Sequence, residues 1–346
     1  MDGSTAVFLL QDGLTTGAIY ALVALALVLA FAVTRVIFVG QGDYVVYGAL
    51  TLATLQSGLV PPTLWLLNGC SIAAWLLDCH NALRTGQTSK LPGITLACLL
   101  PALLITSPFL LVSVGDLPQS MRLLLTLAIV TALGPLVYRL IYQRIAQTTV
   151  LHLLIVSVAL HMVLLGLSLW MFGAEGYRAM ALSERMLAMD TLTISVQSLV
   201  IVITALSVIA ALFVFFNHSL YGKALRATAF NRQGAQLMGI PINMTGKATF
   251  ALAAFIGASS GILISPLTTL YYDSGFLISL KGFVAAIIGG LASYPLAAAG
   301  ALVVGLLESF SMFWASAYKE VIVFTLVIPV LLMLSLKHPS TGDEHQ

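Results

Sequence analysis

No charged residue interrupts the chain between Asp12 and Arg35, and apolar runs of this kind recur along most of its length. About 20 mostly apolar residues are what a helix needs to cross a bilayer. Composition points the same way. Hydrophobic residues make up 60% of the 346 and charged residues only 8%, against about 25% charged in an ordinary soluble domain. The mean hydropathy is +1.03. A soluble core of this size needs a charged shell that these residues cannot supply, whereas lipid covers an apolar surface directly.

The chain is therefore expected to be an all-α, polytopic integral membrane protein, folded as a single transmembrane domain over 1–346. Apolar segments fall near 7–34, 43–60, 62–79, 93–114, 122–142, 150–172, 195–216, 248–270, 278–291, 296–315 and 319–336. Together they predict about 9–11 transmembrane helices, with a broken or reentrant element near 278–300. There, a short segment meets the Gly289-Gly290-Leu291-Ala292-Ser293-Tyr294-Pro295 break. The start, Met1-Asp2-Gly3, is acidic where a secretory signal is basic, so the first segment is expected to be retained.

Lys and Arg favour cytoplasmic loops. With the N-terminus outside, the inner regions hold Arg35, Arg84, Lys90, Arg139, Arg144, Lys223, Arg226, Arg232, Lys247 and Lys337. The outer regions hold Arg122, Arg178, Arg185, Lys281 and Lys319. The bias supports N-out, C-in. An outer loop near 173–194 carries Glu175, Arg178, Glu184, Arg185 and Asp190, whereas an inner loop near 217–247 carries basic residues and no Asp or Glu.

Several chemistries are absent from the sequence. A net charge of +2 without a basic cluster gives no case for nucleic acid. Cys70, Cys79 and Cys98 form no C-x-x-C pair and read as small core residues. There is no H-E-x-x-H, so no metal site of that kind, and His152 and His161 are expected to be hydrogen-bonded inside the bundle. Gly257-Ala258-Ser259-Ser260-Gly261 matches G-x-S-x-G but lies in a helical run, where small residues four apart serve close helix packing. No G-x-x-x-x-G-K-[ST] is present. If ATP drives this chain, another subunit binds it.

The inner loop has internal order. From Ser219 to Pro241, Leu225, Thr228 and Ala229 fall at helical spacing. Asn231 can accept a backbone N–H and begin a second short helix, which Gly239 would end.

This stretch, Gly222 to Ile240, resembles the cytoplasmic coupling segment of branched-chain amino acid ABC transporter permeases of the high-affinity leucine/isoleucine/valine type. Gly13-Leu14-Thr15-Thr16-Gly17-Ala18-Ile19-Tyr20 resembles that family's first segment, and Gly40-Gln41-Gly42-Asp43 with Tyr47-Gly48-Ala49 its entry into the second. Ala285 to Pro295 is similar to its double-glycine break, with Glu308 and Tyr318-Lys319-Glu320 following at the family's spacing. The pattern is nearer the H-type permease than the longer M-type. Residues 61–114 hold more apolar sequence than the family needs, about one extra helix pair.

The resemblance implies the permease subunit of an ATP-driven importer in the bacterial inner membrane, not itself an enzyme. It implies a second permease chain, two cytoplasmic ATPase subunits and an external solute-binding protein. The chain would bind no cofactor, ATP and Mg residing on the partners. Coupling to the ATPase would rest on Arg226, Asn231, Arg232, Ala235, Leu237, Met238 and Gly239, with the two arginines as polar contacts. Gly17, Tyr20, Gly42, Gly289, Gly290 and Glu308 are pathway candidates. Glu308 reads equally as a gating residue or as a buried hydrogen bond between helices. Glu320 suits a helix N-terminus and Lys319 the headgroups. The loop at 173–194 is a candidate dock for the binding protein. Branched-chain amino acids, amides, urea and organic acids all fit as solutes. The rival reading, an ion-gradient carrier, would need intramembrane acidic or histidine relays.

Overall fold

The computed structural model describes residues 3–86, 91–181, 186–189, 192–291 and 293–337. In chain order the helices are α1 (Gly3–Thr34), α2 (Gln41–Gln56), α3 (Thr63–Arg84), α4 (Leu91–Leu111), α5 (Gln119–Val137) and α6 (Gln143–Ile145), then α7 (Val150–Phe172) and α8 (Val196–His218). After these come α9 (Leu220–Phe230), α10 (Arg232–Leu237), α11 (Ile242–Ile264), α12 (Ser274–Ile288), α13 (Tyr294–Ala315), α14 (Lys319–Thr325) and α15 (Val327–Lys337). A π-helical stretch, Tyr138–Tyr142, joins α5 to α6. Among the described residues, β1 (Met186–Met189) pairs antiparallel with β2 (Leu192–Ser195).

The chain is a multi-pass membrane protein. Among the described residues, seven helical stretches are long and apolar enough to cross a membrane, the last running from Tyr294 to Met333. Every expected segment is helical, but not every one has spanning length. The segment expected at 43–60 is the 16-residue α2. The one at 278–291 is the 15-residue α12, about 22 Å long at 1.5 Å per residue against a hydrocarbon core of about 30 Å. The double-glycine break is a tight turn. Gly290 (φ +64°) and Leu291 (φ +55°) are left-handed, and Ser293 accepts the Leu296 N–H to start α13. The segment expected at 248–270 begins earlier, because Pro241 opens α11 directly and Gly246 and Lys247 lie inside the helix. Lys90, Glu184, Arg185, Asp190 and Ala292 lie outside the described residues, as does the side chain of Lys337.

Contacts group the chain into two compact units. The larger comprises 29–182 and 210–276. In it α11 packs on both α2 and α5, and α2 also touches α5. The approach is close because glycines stand at the crossings. A Cβ on Gly261 would strike the Val45 carbonyl, one on Gly48 would lie 2.8 Å from Ala258 Cα, and one on Gly134 would strike the Phe250 carbonyl. Small residues thus do what the sequence pattern at 257–261 leads one to expect. Phe38, Tyr44, Tyr138, Tyr142 and Phe250 fill the centre with ring contacts of 5.1–6.2 Å. The extra apolar region forms a pair, α3 on α4, joined by the Trp75 indole N–H to Thr95 (3.1 Å) and the Ser71 hydroxyl to the Cys98 carbonyl (3.2 Å). Arg139, expected in an inner loop, instead lies on the π-helical stretch, paired with Asp78.

The smaller unit comprises the described residues of 1–28, 183–209 and 277–346. Here α1 lies against α13 without side chains between them: a Cβ on Gly17 would sit 3.0 Å from Leu302 Cα, and one on Gly305 would strike the Gly17 backbone. The Ser309 hydroxyl donates to the Leu9 carbonyl (2.9 Å), tying the same two helices.

Candidate functional site

The segment 219–241 is built by its own caps. The Ser219 side chain accepts the Gly222 N–H at 2.8 Å and starts α9. Asn231 has extended backbone, ends α9, and accepts the Gly234 N–H at 2.8 Å to start α10. That is the capping role its side chain suits. Gly239 (φ +83°) closes α10, with its N–H on the Gln236 carbonyl and the Ile240 N–H on the Ala235 carbonyl. This pair of bonds is the usual glycine-terminated helix end. Pro241 follows and leads straight into α11. The expected placements of Asn231 and Gly239 are both realised.

Leu225, Thr228 and Ala235 are buried. Arg226 donates to the Asn217 side-chain oxygen (2.8 Å), and Arg232 donates to the Ala146 carbonyl (2.9 Å) at the end of the α5–α6 rod. Arg226 thus ties α9 to the end of α8 while staying exposed, and Arg232 ties α10 to the end of α6. What α9 and α10 present outward is mixed: Lys223, Arg226, Gln233 and Gln236 are exposed beside large apolar side chains, with Phe230 93% exposed, Leu237 89% and Met238 83%. An open groove of about 300 Å³ runs beside them, lined by Leu220, Tyr221, Ala224, Ile240, Pro241 and Met244 among others.

Two buried polar centres lie elsewhere, one in each unit. In the smaller unit, Lys281 of α12 reaches Glu308 at 2.6 Å and Glu320 at 3.1 Å. The Tyr20 hydroxyl donates to the second Glu308 oxygen at 2.7 Å, and the Lys281 ammonium lies 5.7 Å from the Tyr20 ring centre. Of the two readings of Glu308, the geometry gives the interhelical one directly: a carboxylate bonded from α1 and α12. Lys281, counted above among the outer charges, is a buried helical residue. Charge counting on a sequence sees only that a Lys is present.

In the larger unit, His161 Nδ1 lies 2.8 and 3.0 Å from the two carboxylate oxygens of Asp43, with both side chains buried. The imidazole stacks on Phe276 with ring centres 5.3 Å apart. Gln41 Nε2 donates to the Ala253 carbonyl (2.9 Å). Gly42 is pressed so tightly on the Gly275 backbone that a Cβ would overlap its carbonyl. His161 is thus hydrogen-bonded in the interior, as expected. His152 is not: it is exposed, and its ring bonds the nearby Thr149 hydroxyl. Of the pathway candidates, Tyr20 and Glu308 meet in one network, whereas Gly17, Gly42, Gly289 and Gly290 serve close approaches or the turn.

A family profile described as the permease component of branched-chain amino acid transport systems matches residues 9–334. The chain belongs to this family. Among curated members of this permease family, the LivH high-affinity branched-chain amino acid permease of Escherichia coli K12 is 34% identical over 142 residues, covering 40% of this chain and 46% of LivH. BraD of Pseudomonas aeruginosa is 33% identical over 147 residues, 42% of this chain and 48% of BraD. A probable LivH permease of Methanocaldococcus jannaschii is 29% identical over 126 residues, 36% of this chain and 40% of that protein. The chain spans about half the length of the curated relatives it matches. No solved structure matches it.

Proposed function

We propose that this chain is the membrane-spanning permease subunit of an ATP-binding-cassette importer. It passes a small solute, a branched-chain amino acid or a related amide, urea or organic acid, into the cytoplasm of a bacterial cell. In this reading the chain lies in the cytoplasmic membrane, N-terminus out and C-terminus in, beside a second permease chain. Two cytoplasmic ATPase subunits hydrolyse ATP with Mg, and an extracytoplasmic solute-binding protein delivers the solute. The chain supplies no nucleotide site of its own: its sequence has no phosphate-cradling glycine loop.

The observation that carries this reading is the twice-capped element α9–α10, which holds Phe230, Leu237 and Met238 outward at the foot of α11. Exposed apolar side chains on short, rigid helices suit a protein groove, where buried anchors supply most of the affinity. Because α10 runs through Gly239 and Pro241 into α11, displacing α10 displaces a spanning helix as a rigid body. The arginines stiffen the lever and the apolar side chains make the contact.

The test is co-purification and reconstituted uptake. ATP-dependent uptake by the assembled complex is expected, and Leu237→Asp with Met238→Asp should release the ATPase subunits while the chain still inserts. Uptake that follows an ion gradient without ATP would refute this reading. The buried Asp43–His161 pair would then favour the carrier alternative, since such pairs mark proton relays in carriers.

A further inference from the structure

The contact of α7 with α2 and the residues just before it is a ladder of polar rungs. The Val39 N–H donates to the Ser157 hydroxyl at 2.9 Å, His161 meets Asp43 at 2.8 and 3.0 Å, and the Tyr47 hydroxyl donates to the Leu164 carbonyl at 2.7 Å. On α7 the rungs stand at 157, 161 and 164, one face of a helix, and they climb in the same direction as 39, 43 and 47. The opposite side of α7 is apolar and open, with Leu151, Ile155 and Met162 exposed. In lipid no hydrophobic force presses such a helix against its neighbours, so packing and interhelical hydrogen bonds hold it.

The rungs are not equivalent. The Tyr47 rung uses a backbone carbonyl, whose second lone pair recurs at every residue and so accepts a shifted partner, and the Val39 rung uses an N–H that precedes the first turn of α2. The middle rung joins two side chains, and a one-turn slip of α7 would bring His161 against Val39 or Tyr47. A buried carboxylate would then lose its partner, because no other cation pairs with Asp43 among the described residues. The rung's α2 end is fixed as well. Gln41 holds the Ala253 carbonyl, and Gly257 and Gly261 bring the α11 backbone onto α2 with nothing between.

We propose that Asp43 and His161 are positioning residues that set the register of α7 on the α2–α11 body, and that through them α7 follows α11 during transport. The second half rests on the importer reading, in which α10 drives α11. The first half does not.

Two measurements on the full-length chain separate these halves. Hydrogen–deuterium exchange of the chain in proteoliposomes reads the register. His161→Leu should raise exchange across 150–172. His161→Asn, whose amide N–H takes the place of Nδ1–H, should restore protection. Unchanged exchange in His161→Leu, or no rescue by His161→Asn, overturns the register assignment whatever drives transport. The second measurement is solute taken up per ATP hydrolysed by the assembled complex. His161→Leu should lower this ratio about tenfold, the size expected when a coupling contact is cut, with ATP hydrolysis retained and His161→Asn near the native ratio. A native ratio in His161→Leu overturns the transmission role. If His161→Leu does not insert, Asp43→Asn, which keeps an acceptor and loses the charge, is read in both assays against the same criteria. Should native uptake need no ATP, the importer reading fails and the exchange data still judge the ladder.

Discussion

Replacing Lys281 should destabilise the protein more than replacing Glu308, and replacing both should cost less than replacing Lys281 alone. The side chains of Lys281 and Glu308 are 7% and 10% exposed, whereas Glu320 is 32% exposed. Lys281→Met leaves Glu308 buried with only the Tyr20 hydroxyl and places it near a second, uncompensated carboxylate. Breaking a buried pair in this way costs about 3–5 kcal/mol. Glu308→Gln still accepts from Tyr20 and leaves Lys281 bonded to Glu320 at 3.1 Å. What is lost is one of two charge-assisted bonds, about 1.5–3 kcal/mol. Glu320→Gln removes a half-open, screened partner and should cost about 0–1 kcal/mol. In the double variant Lys281→Met/Glu308→Gln no buried charge is stranded, so it should recover part of the Lys281→Met loss. The assay is equilibrium unfolding in detergent, followed by the fluorescence of the four tryptophans. A double variant that costs the sum of the two single changes would show that the three groups are not energetically linked and would refute the network as described.

Other outcomes follow from single contacts. Asn231→Ala removes the α10 cap and should cost about 1 kcal/mol, seen as faster proteolysis within 232–238, while Asn231→Asp should keep the cap. Gly239→Val forces a β-branched residue into the left-handed region at a cost of about 1–2 kcal/mol, and a lower unfolding midpoint reports it. Gly261→Leu drives a side chain into the Val45 carbonyl and should lose at least about 1–3 kcal/mol; Gly69→Ala, with nothing within 4 Å, should be neutral or slightly stabilising in the same assay. Arg232→Met frees the Ala146 carbonyl and should raise hydrogen exchange at 143–149, leaving α11 unchanged.

The features legible in the sequence are local ones. Apolar runs marked the helices because bilayer thickness sets their length. Asn231 and Gly239 marked helix ends because capping is decided within three or four residues. Glycine spacing at 257–261 marked a close crossing. What stayed hidden depends on partners far along the chain. Asp43 stood in a quoted motif and His161 in an apolar run, yet the 118 residues between them carry no sign that they meet. Lys281 counted only as an outer charge because its partners, Glu308 and Glu320, lie on later helices. Arg226 and Arg232 looked free because one sequence does not show that Asn217 and Ala146 wait for them. The early start of α11 was missed for a related reason. Gly246 and Lys247 fell at the end of the expected inner loop, but the Tyr138 ring packs where a Cβ on Gly246 would stand.

The Asp43–His161 rung also sets a timetable for biosynthesis. Asp43 is made 118 residues before its partner, an interval of about 6–24 s at 5–20 residues per second. Throughout it, a helix with an acidic first turn must stand at the membrane with its carboxylate unpaired, a burden of up to about 2.5–3.5 kcal/mol at full depth. A wet or protein-lined site that shelters Asp43 until α7 emerges would relieve that burden.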